Sequence, residues 1–217
     1  MKKKFAVILS GCGVFDGSEI HEATLTLLAI ARNGSEYQCF APDVKQAHVM
    51  NHLTGKEMAE SRNVLVESAR IARGKILPLA RFNVSDYDAV IFPGGFGVAK
   101  NLCTYAFDGV NCHVEPDVEK IVRATARAGK PIGALCISPV LITKILGDVE
   151  VTIGNDRSTA TSIVEMGGKH FIKSGSEVVV DEKHRIVTTP CYMLDASIDQ
   201  IADGAENVVR TILNMIP

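Results

Sequence analysis

No Cys-x-x-Cys pair occurs in the sequence, although it holds six cysteines: Cys12, Cys39, Cys103, Cys112, Cys136 and Cys191. In a chain of 217 residues with no secretory leader, such scatter argues against a disulfide framework and against a structural zinc site. Long blocks of like charge are missing too. The 23 basic and 25 acidic residues leave a formal charge of −2, so neither a nucleic-acid footprint nor a polybasic membrane anchor is expected. No apolar run approaches the roughly 20 residues that a membrane span requires. Met1-Lys2-Lys3-Lys4 before Phe5-Ala6-Val7-Ile8-Leu9 has the outline of a secretory start, but the apolar stretch stops at Ser10-Gly11. That is short of the usual core of about 7–15 residues, and no small-residue cleavage site follows. A cytosolic protein is the expectation. Repeats, linkers and low-complexity segments are also lacking, and a composition 47% hydrophobic and 22% charged suits one globular domain over residues 1–217.

What is present is an alternation of short apolar runs with amphipathic stretches, the pattern of a mostly parallel sheet covered by helices on both faces. Strands are expected at Phe5–Leu9, Tyr37–Phe40, Ala89–Phe92, Pro131–Leu135 and Val149–Ile153. Val178–Val180 and Ile186–Thr188, joined by Asp181-Glu182-Lys183-His184, read as a β-hairpin. Helices are expected after the loop Ser10–Gly17, with a stripe of Ile20, Ala23, Leu27, Leu28 and Ala31, and over Ser61–Arg73, Pro116–Ala128, Ser138–Leu146 and Ser158–Met166. A last helix is capped by Ser197 and carries Ile198, Ile201, Ala202, Ala205, Val209 and Ile212. Residues 42–84 are less regular and read as an insertion on the sheet.

Within this α/β frame Gly133-Ala134-Leu135-Cys136-Ile137-Ser138-Pro139 stands out, because a strand there turns abruptly into a helix. The hinge residue of such an elbow is strained, and its neighbours two before and two after must be small, as Ala134 and Ser138 are. The elbow presents Cys136 at the carboxyl edge of the sheet, where open α/β folds bind ligands. A helix N-terminus there is expected to lower the thiol pKa below about 8.5. The competing reading is a buried cysteine that happens to end a strand. Pro93-Gly94-Gly95-Phe96-Gly97 also follows a strand, and its glycines let backbone N–H groups approach an anion if the loop faces Cys136. Glu19, at the start of the first helix, lies on the same edge, although an acid at a helix start is otherwise explained by the helix dipole.

Other motifs fail on inspection. Gly11-Cys12-Gly13-Val14-Phe15-Asp16-Gly17 has three residues instead of two before its last glycine, and Asp43 after Pro42 is poorly placed for a ribose, so a dinucleotide cofactor is disfavoured. His21-Glu22 opens like a zinc-protease helix, but Leu25 stands where the second histidine is required. His48 and His52 are four apart, yet Thr54-Gly55 breaks the segment and no third ligand is evident. No metal and no cofactor are expected. Cys12 and Cys191 lie near strand ends, where packing is the simpler account.

Together these segments resemble the ThiJ/PfpI superfamily, relatives of the class I glutamine amidotransferases, and most closely its ElbB-type branch. The resemblance runs through Ile8–Glu22, Arg62–Leu65, Pro93–Gly97, Lys100–Leu102, Gly129–Pro131 and Val187–Pro190. It implies a flavodoxin-like three-layer sandwich, usually dimeric, with Cys136 as nucleophile, Glu19 as the acid beside it, and an oxyanion site from the backbone of Gly95 and Ile137. It also implies a weak, cofactor-independent glyoxalase activity on small 2-oxoaldehydes. Cys136 would add to the aldehyde carbon and Glu19 would shuttle the proton between the two carbons. Protease-like relatives place a histidine directly after the cysteine, where this chain has Ile137, and Gly154-Asn155 offers no distal histidine. Proteolysis and glutamine hydrolysis are therefore disfavoured, and glyoxalase turnover is expected to be slow. Two alternatives stand beside this one: a stress-response protein in which Cys136 is oxidised, and a non-catalytic regulatory partner, for example in isoprenoid metabolism.

Overall fold

The computed structural model describes residues 2–217. In chain order the elements are β1 (Lys4–Ile8), α1 (Ile20–Arg32), β2 (Glu36–Ala41), β3 (Met50–Asn51), β4 (Lys56–Glu57), α2 (Val64–Ile71), β5 (Ile76–Pro78), β6 (Ala89–Phe92) and α3 (Tyr105–Asp108). They continue with α4 (Pro116–Arg127), β7 (Ile132–Leu135), α5 (Ser138–Leu146), β8 (Glu150–Val151), α6 (Arg157–Glu165), β9 (Lys169–His170), β10 (Val179–Asp181), β11 (Ile186–Thr189) and α7 (Ile198–Met215). Seven strands form one sheet in the order β10-β11-β7-β6-β1-β2-β5. Every pairing in it is parallel except β10 with β11.

Strand alternation divides the core between the two faces. Phe5 and Val7 of β1 point to the side covered by α1, α2 and α7, against Ala23, Leu27, Ile30 and Val208. Ala6 and Ile8 point to the other side, against a cluster that includes Val118 and Ile121 of α4, Leu141 of α5 and Ile163 of α6. The result is the flavodoxin-like three-layer sandwich. From β1 the chain builds outward through β2 and β5, then crosses back to β6, β7 and β11. The switch between β1 and β6 opens a crevice at their carboxyl ends, and the site lies there.

Two parts of the sheet differ from the expectation. The segment at Val149–Ile153 does not enter the main sheet; β8 pairs with β9 in a separate two-stranded sheet, while the fully buried β11 takes the place beside β7. Asp181 accepts from the N–H of Glu150 at 2.9 Å and fixes β8 against the hairpin. The edge strand β5 was not expected. It is three residues long and half-exposed, too short to show a period, and Pro78 at its end suits an edge. Residues 50–57 carry the small antiparallel pair β3-β4, off the main sheet.

Candidate active site

Leu135 ends β7 and Ser138 begins α5, so the chain reverses direction around Cys136. Cys136 adopts φ 59, a left-handed conformation that costs a side-chain-bearing residue roughly 1–2 kcal/mol. The turn is held from both sides. The N–H of Cys136 donates to Thr189 O at 3.0 Å on β11, and Ser138 Oγ donates to Pro93 O at 2.9 Å on the β6 loop. The small residues Ala134 and Ser138 are fully buried where the elbow crosses its neighbours.

The loop Pro93–Gly97 faces Cys136. Gly94 is squeezed between the thiol and α1: a Cβ there would lie 2.3 Å from Cys136 Cβ and 2.6 Å from Glu22 Oε2. Gly95, at φ 99, packs on the loop that precedes α1, and a Cβ would meet Gly17 O at 2.4 Å. Three backbone bonds tie the two loops: Glu19 N to Gly94 O at 2.9 Å, Phe96 N to Val14 O at 2.8 Å and Gly97 N to Gly17 O at 2.9 Å. The N–H groups of Gly95 and Ile137 lie close enough to the Cys136 sulfur to favour its anion.

The carboxyl group at the thiol is that of Glu22, one turn beyond the residue expected. Glu19 is the N-cap of α1, and its Oε2 accepts from the N–H of Glu22 at 2.7 Å. Glu22 is fully buried; its Oε2 accepts from Gly94 N at 2.9 Å, its Oε1 from Tyr192 N at 3.2 Å, and it hydrogen-bonds the Cys136 thiol. The expected stripe on α1 was rotated in the same sense. Ile20 and Leu28 are exposed, while Glu22, Ala23, Thr26, Leu27 and Ile30 face inward. Glu22 lies four residues before Thr26 and eight before Ile30, in line with that inward face, and a carboxylate in line with an apolar face was the signal available in the sequence.

Burial dominates the electrostatics. It raises the Glu22 pKa to about 8, with the Glu19 carboxylate adding to the effect and the bonds from Tyr192, Cys136 and Gly94 opposing it. The Cys136 thiol is also pushed well above the ordinary range, first by burial and then by the negative charge of Glu22, against the pull of the Gly95 and Ile137 N–H groups. The expectation of an acidic, open thiol is corrected here. A helix N-terminus stabilises an anion by about 0.3–1 kcal/mol, and up to ~2, whereas removing a charge from water costs several. Cys136 is only 6% exposed, and it is reached through a cavity of about 240 Å³. Val14, Phe96, Ala99, Tyr105, Ile137 and Met193 make most of its lining, and no charged side chain of the described residues contributes to it.

The remaining candidates lie apart from this chemistry. Cys191 is buried close to the pair, at φ 46, with its sulfur near α7 Gly204, and burial raises its pKa. Cys12 lies on the β1–α1 loop near Glu67 and does not line the cavity. His52 Nε2 accepts from Phe15 N, His48 stacks edge-on to Phe107, and His21 bonds the Tyr192 hydroxyl at 2.9 Å. Among the described residues no histidine hydrogen-bonds the Cys136 sulfur.

No protein-family model matches the chain. The human mitochondrial glutamine amidotransferase-like class 1 domain-containing protein 3 is 49% identical over 98% of this chain and 83% of its own length. The zebrafish mitochondrial ES1 protein is 36% identical over 97% of this chain and 85% of its own. Among solved structures, an isoprenoid biosynthesis protein with an amidotransferase-like domain from Ehrlichia chaffeensis superposes with a TM-score of 0.92 at 38% identity, covering 98% of this chain and 99% of that one. Glyoxalase III from Candida albicans shares the fold, with a TM-score of 0.63 at 15% identity over 99% and 98% of the two chains. The expectation of a cytosolic protein is overturned by these relatives: the human, rat and zebrafish proteins are all named mitochondrial. On this similarity, spread over nearly its whole length, the chain belongs to the ES1 family of glutamine amidotransferase-like class 1 domain proteins, built on the ThiJ/PfpI fold.

Proposed function

We propose that the protein is a cofactor-independent, glyoxalase-type enzyme that converts 2-oxoaldehydes to 2-hydroxy acids, with Cys136 as nucleophile and Glu22 as the acid–base group. The observation that carries this reading is the meeting of four groups: the thiol and the N–H groups of Gly95 and Ile137 at the wall of one cavity, and, buried directly behind the thiol, a carboxyl group whose pKa is about 8. Glu22 as carboxylate takes the thiol proton while sulfur bonds to the aldehyde carbon, and the new alkoxide lies against the two N–H donors. Glu22 returns the proton to that oxygen, giving a hemithioacetal. It then removes the hydrogen on the former aldehyde carbon and delivers it to the adjacent carbonyl carbon, while the hydroxyl proton of the hemithioacetal passes to the oxygen of that carbonyl, so that C=O forms at the first carbon and C–OH at the second. The product is a thioester of Cys136, and water releases the 2-hydroxy acid and the free thiol. A carboxyl group that titrates near neutrality serves both halves of this shuttle.

The cavity also bears on the substrate. A free amino acid such as glutamine brings two charges, and the lining offers no charged side chain to meet them, so amide hydrolysis is disfavoured. Methylglyoxal or a 2-oxoaldehyde with a longer hydrocarbon substituent meets an apolar wall. The test is glutathione-free incubation with methylglyoxal and phenylglyoxal, with the hydroxy acid quantified. Product is expected from the wild type and not from Cys136→Ser. Equal yields from the two proteins would overturn the proposal.

A second reading is favoured by one observation. The Ehrlichia relative is named for isoprenoid biosynthesis, and an apolar cavity of this size accepts a branched hydrocarbon. In that case the protein is an isoprenoid-binding partner without turnover. Calorimetric titration with a short isoprenoid alcohol separates the two, since that binding survives Cys136→Ser and 2-oxoaldehyde turnover does not.

A further inference from the structure

Two other cysteines, read as scattered in the sequence, are neighbours in the fold. Cys103 follows the β6 loop and Cys112 precedes α4, and the chain between them folds back on itself. Cys103 bridges Val114 in antiparallel fashion. Thr104 N donates to His113 O at 2.9 Å, His113 N to Thr104 Oγ1 at 2.9 Å, and Glu115 N to Leu102 O at 2.9 Å. In that register Cys112, two before Val114, lies diagonally across from Cys103 on the same side of the ribbon, close enough for the two thiols to shift each other's titration. Both are buried. Lys144 of α5 donates to Val110 O at 2.6 Å, which sets its ammonium group beside Cys112.

The two thiols are chemically unequal. The hydrogen bond from Cys103 lowers the Cys112 pKa to about 7, against the effect of burial and with help from the Lys144 charge. Cys103 is pushed up, first by its interaction with Cys112 and then by burial. Cys112, beside the Lys144 ammonium, is the more acidic of the two, which suits a nucleophile with Cys103 as its resolving partner.

We propose that Cys103 and Cys112 form a reversible intramolecular disulfide on exposure to hydroperoxides, a modification that staples residues 104–111, the segment whose Tyr105 and Ala106 form one wall of the Cys136 cavity. The Cys112 thiolate attacks a peroxide oxygen; the S–O bond forms, the O–O bond breaks, and hydroxide or alkoxide leaves and is protonated. Cys103 sulfur then attacks the Cys112 sulfenic acid; the S–S bond forms, the S–O bond breaks, and water leaves with the Cys103 proton. Two thiols lose two electrons and two protons, and the hydroperoxide takes them up. Nothing in this step uses Cys136 or Glu22, so it stands independently of the proposed activity.

The experiment is brief treatment of the full chain with a slight excess of hydrogen peroxide, alkylation of the remaining thiols, and mass spectrometry of a non-reduced digest. The expected result is a Cys103–Cys112 linked peptide lighter by two hydrogens, restored by dithiothreitol, and formed equally in Cys136→Ser. In Cys103→Ala the link is lost and a sulfenic acid on Cys112 is trapped by dimedone. Loss of thiols through any other pair, or both cysteines recovered alkylated, overturns the proposal. A measurement on the wild type alone guards against a variant that fails to fold: the rate of disulfide formation is expected to rise with pH and level off above about 7. A rate that keeps climbing through neutral pH, as an ordinary thiol's does, overturns it as well.

Discussion

Glu22 and Cys136 share a hydrogen bond in a site closed to bulk water, and a charge on either one disfavours a charge on the other. The proton is held more firmly by sulfur than by the carboxyl group, and below about pH 8 the carboxyl group is mostly protonated as well, so the resting pair is neutral. Such a pair becomes reactive only when a substrate supplies an electrophilic carbon and an oxygen for the Gly95 and Ile137 N–H groups.

Glu22→Gln separates the two consequences of this arrangement. Removing the carboxylate takes away a negative charge next to the thiol, so the thiolate forms at lower pH, and alkylation of Cys136 by iodoacetamide is expected to quicken several-fold at mildly alkaline pH. Turnover of 2-oxoaldehydes is expected to fall about 10²–10⁴-fold, because the base is gone. Parallel loss of both would assign Glu22 a purely structural role.

The same residue couples stability to pH. Folded, Glu22 releases its proton at about 8; unfolded, it does so near the usual 4.5. Below about 4.5 both states are protonated and its contribution is fully present. Between the two values the folded chain holds a proton that the unfolded chain has lost, and stability drains away as pH rises, until the contribution is gone above about 8. Melting of wild type and Glu22→Gln across this window is expected to diverge by at most about 1.4 kcal/mol, or about 3–6 °C, per pH unit, in favour of the variant at high pH. Parallel melting curves would place the carboxyl group's titration elsewhere.

Much of this frame was legible from the sequence. The strands at β1, β6 and β7 show as continuous apolar runs, and the elbow shows as a small-x-Cys-x-small string after one of them. What the sequence hid were relationships across elements. Glu19 and Glu22 lie three apart on one helix, and only the packing of α1 on the sheet decides which turns inward. The thiol pKa was misjudged for a related reason: the helix end behind Cys136 is visible in the sequence, but the depth at which Gly94 and Tyr192 close over it is not. The proximity of Cys103 and Cys112 rests on a short antiparallel return whose residues carry no periodic pattern.

Gly94 is the most exacting position in the site. A methyl group there lies within 3 Å of Cys136 Cβ, Cys136 Sγ and Glu22 Oε2, and the nearest of these, the Cβ at 2.3 Å, is fixed by the backbone. Gly94→Ala is expected to cost about 1–3 kcal/mol of stability by overpacking and to slow Cys136 alkylation at least tenfold as the thiol and carboxyl group are pushed apart. Chemical denaturation and timed alkylation read the two effects. Wild-type values in both would mean that the loop yields and does not hold the site.

Glu19 remains a useful contrast, because it caps α1 and contributes charge without touching the sulfur. Glu19→Gln keeps an oxygen to accept from Glu22 N and removes the negative charge that helps hold the Glu22 pKa at about 8. The Glu22 pKa is expected to fall, so more of the base is available at neutral pH. The rising limb of the pH–rate profile for 2-oxoaldehyde turnover should move to lower pH while the maximal rate stays within about threefold of wild type. Glu19→Ala should show the same displacement with an added loss of about 1 kcal/mol from the missing cap. If Glu19→Gln instead abolished turnover as completely as Glu22→Gln does, the acid–base role would belong to Glu19, and the inward turn of Glu22 would be a matter of packing alone.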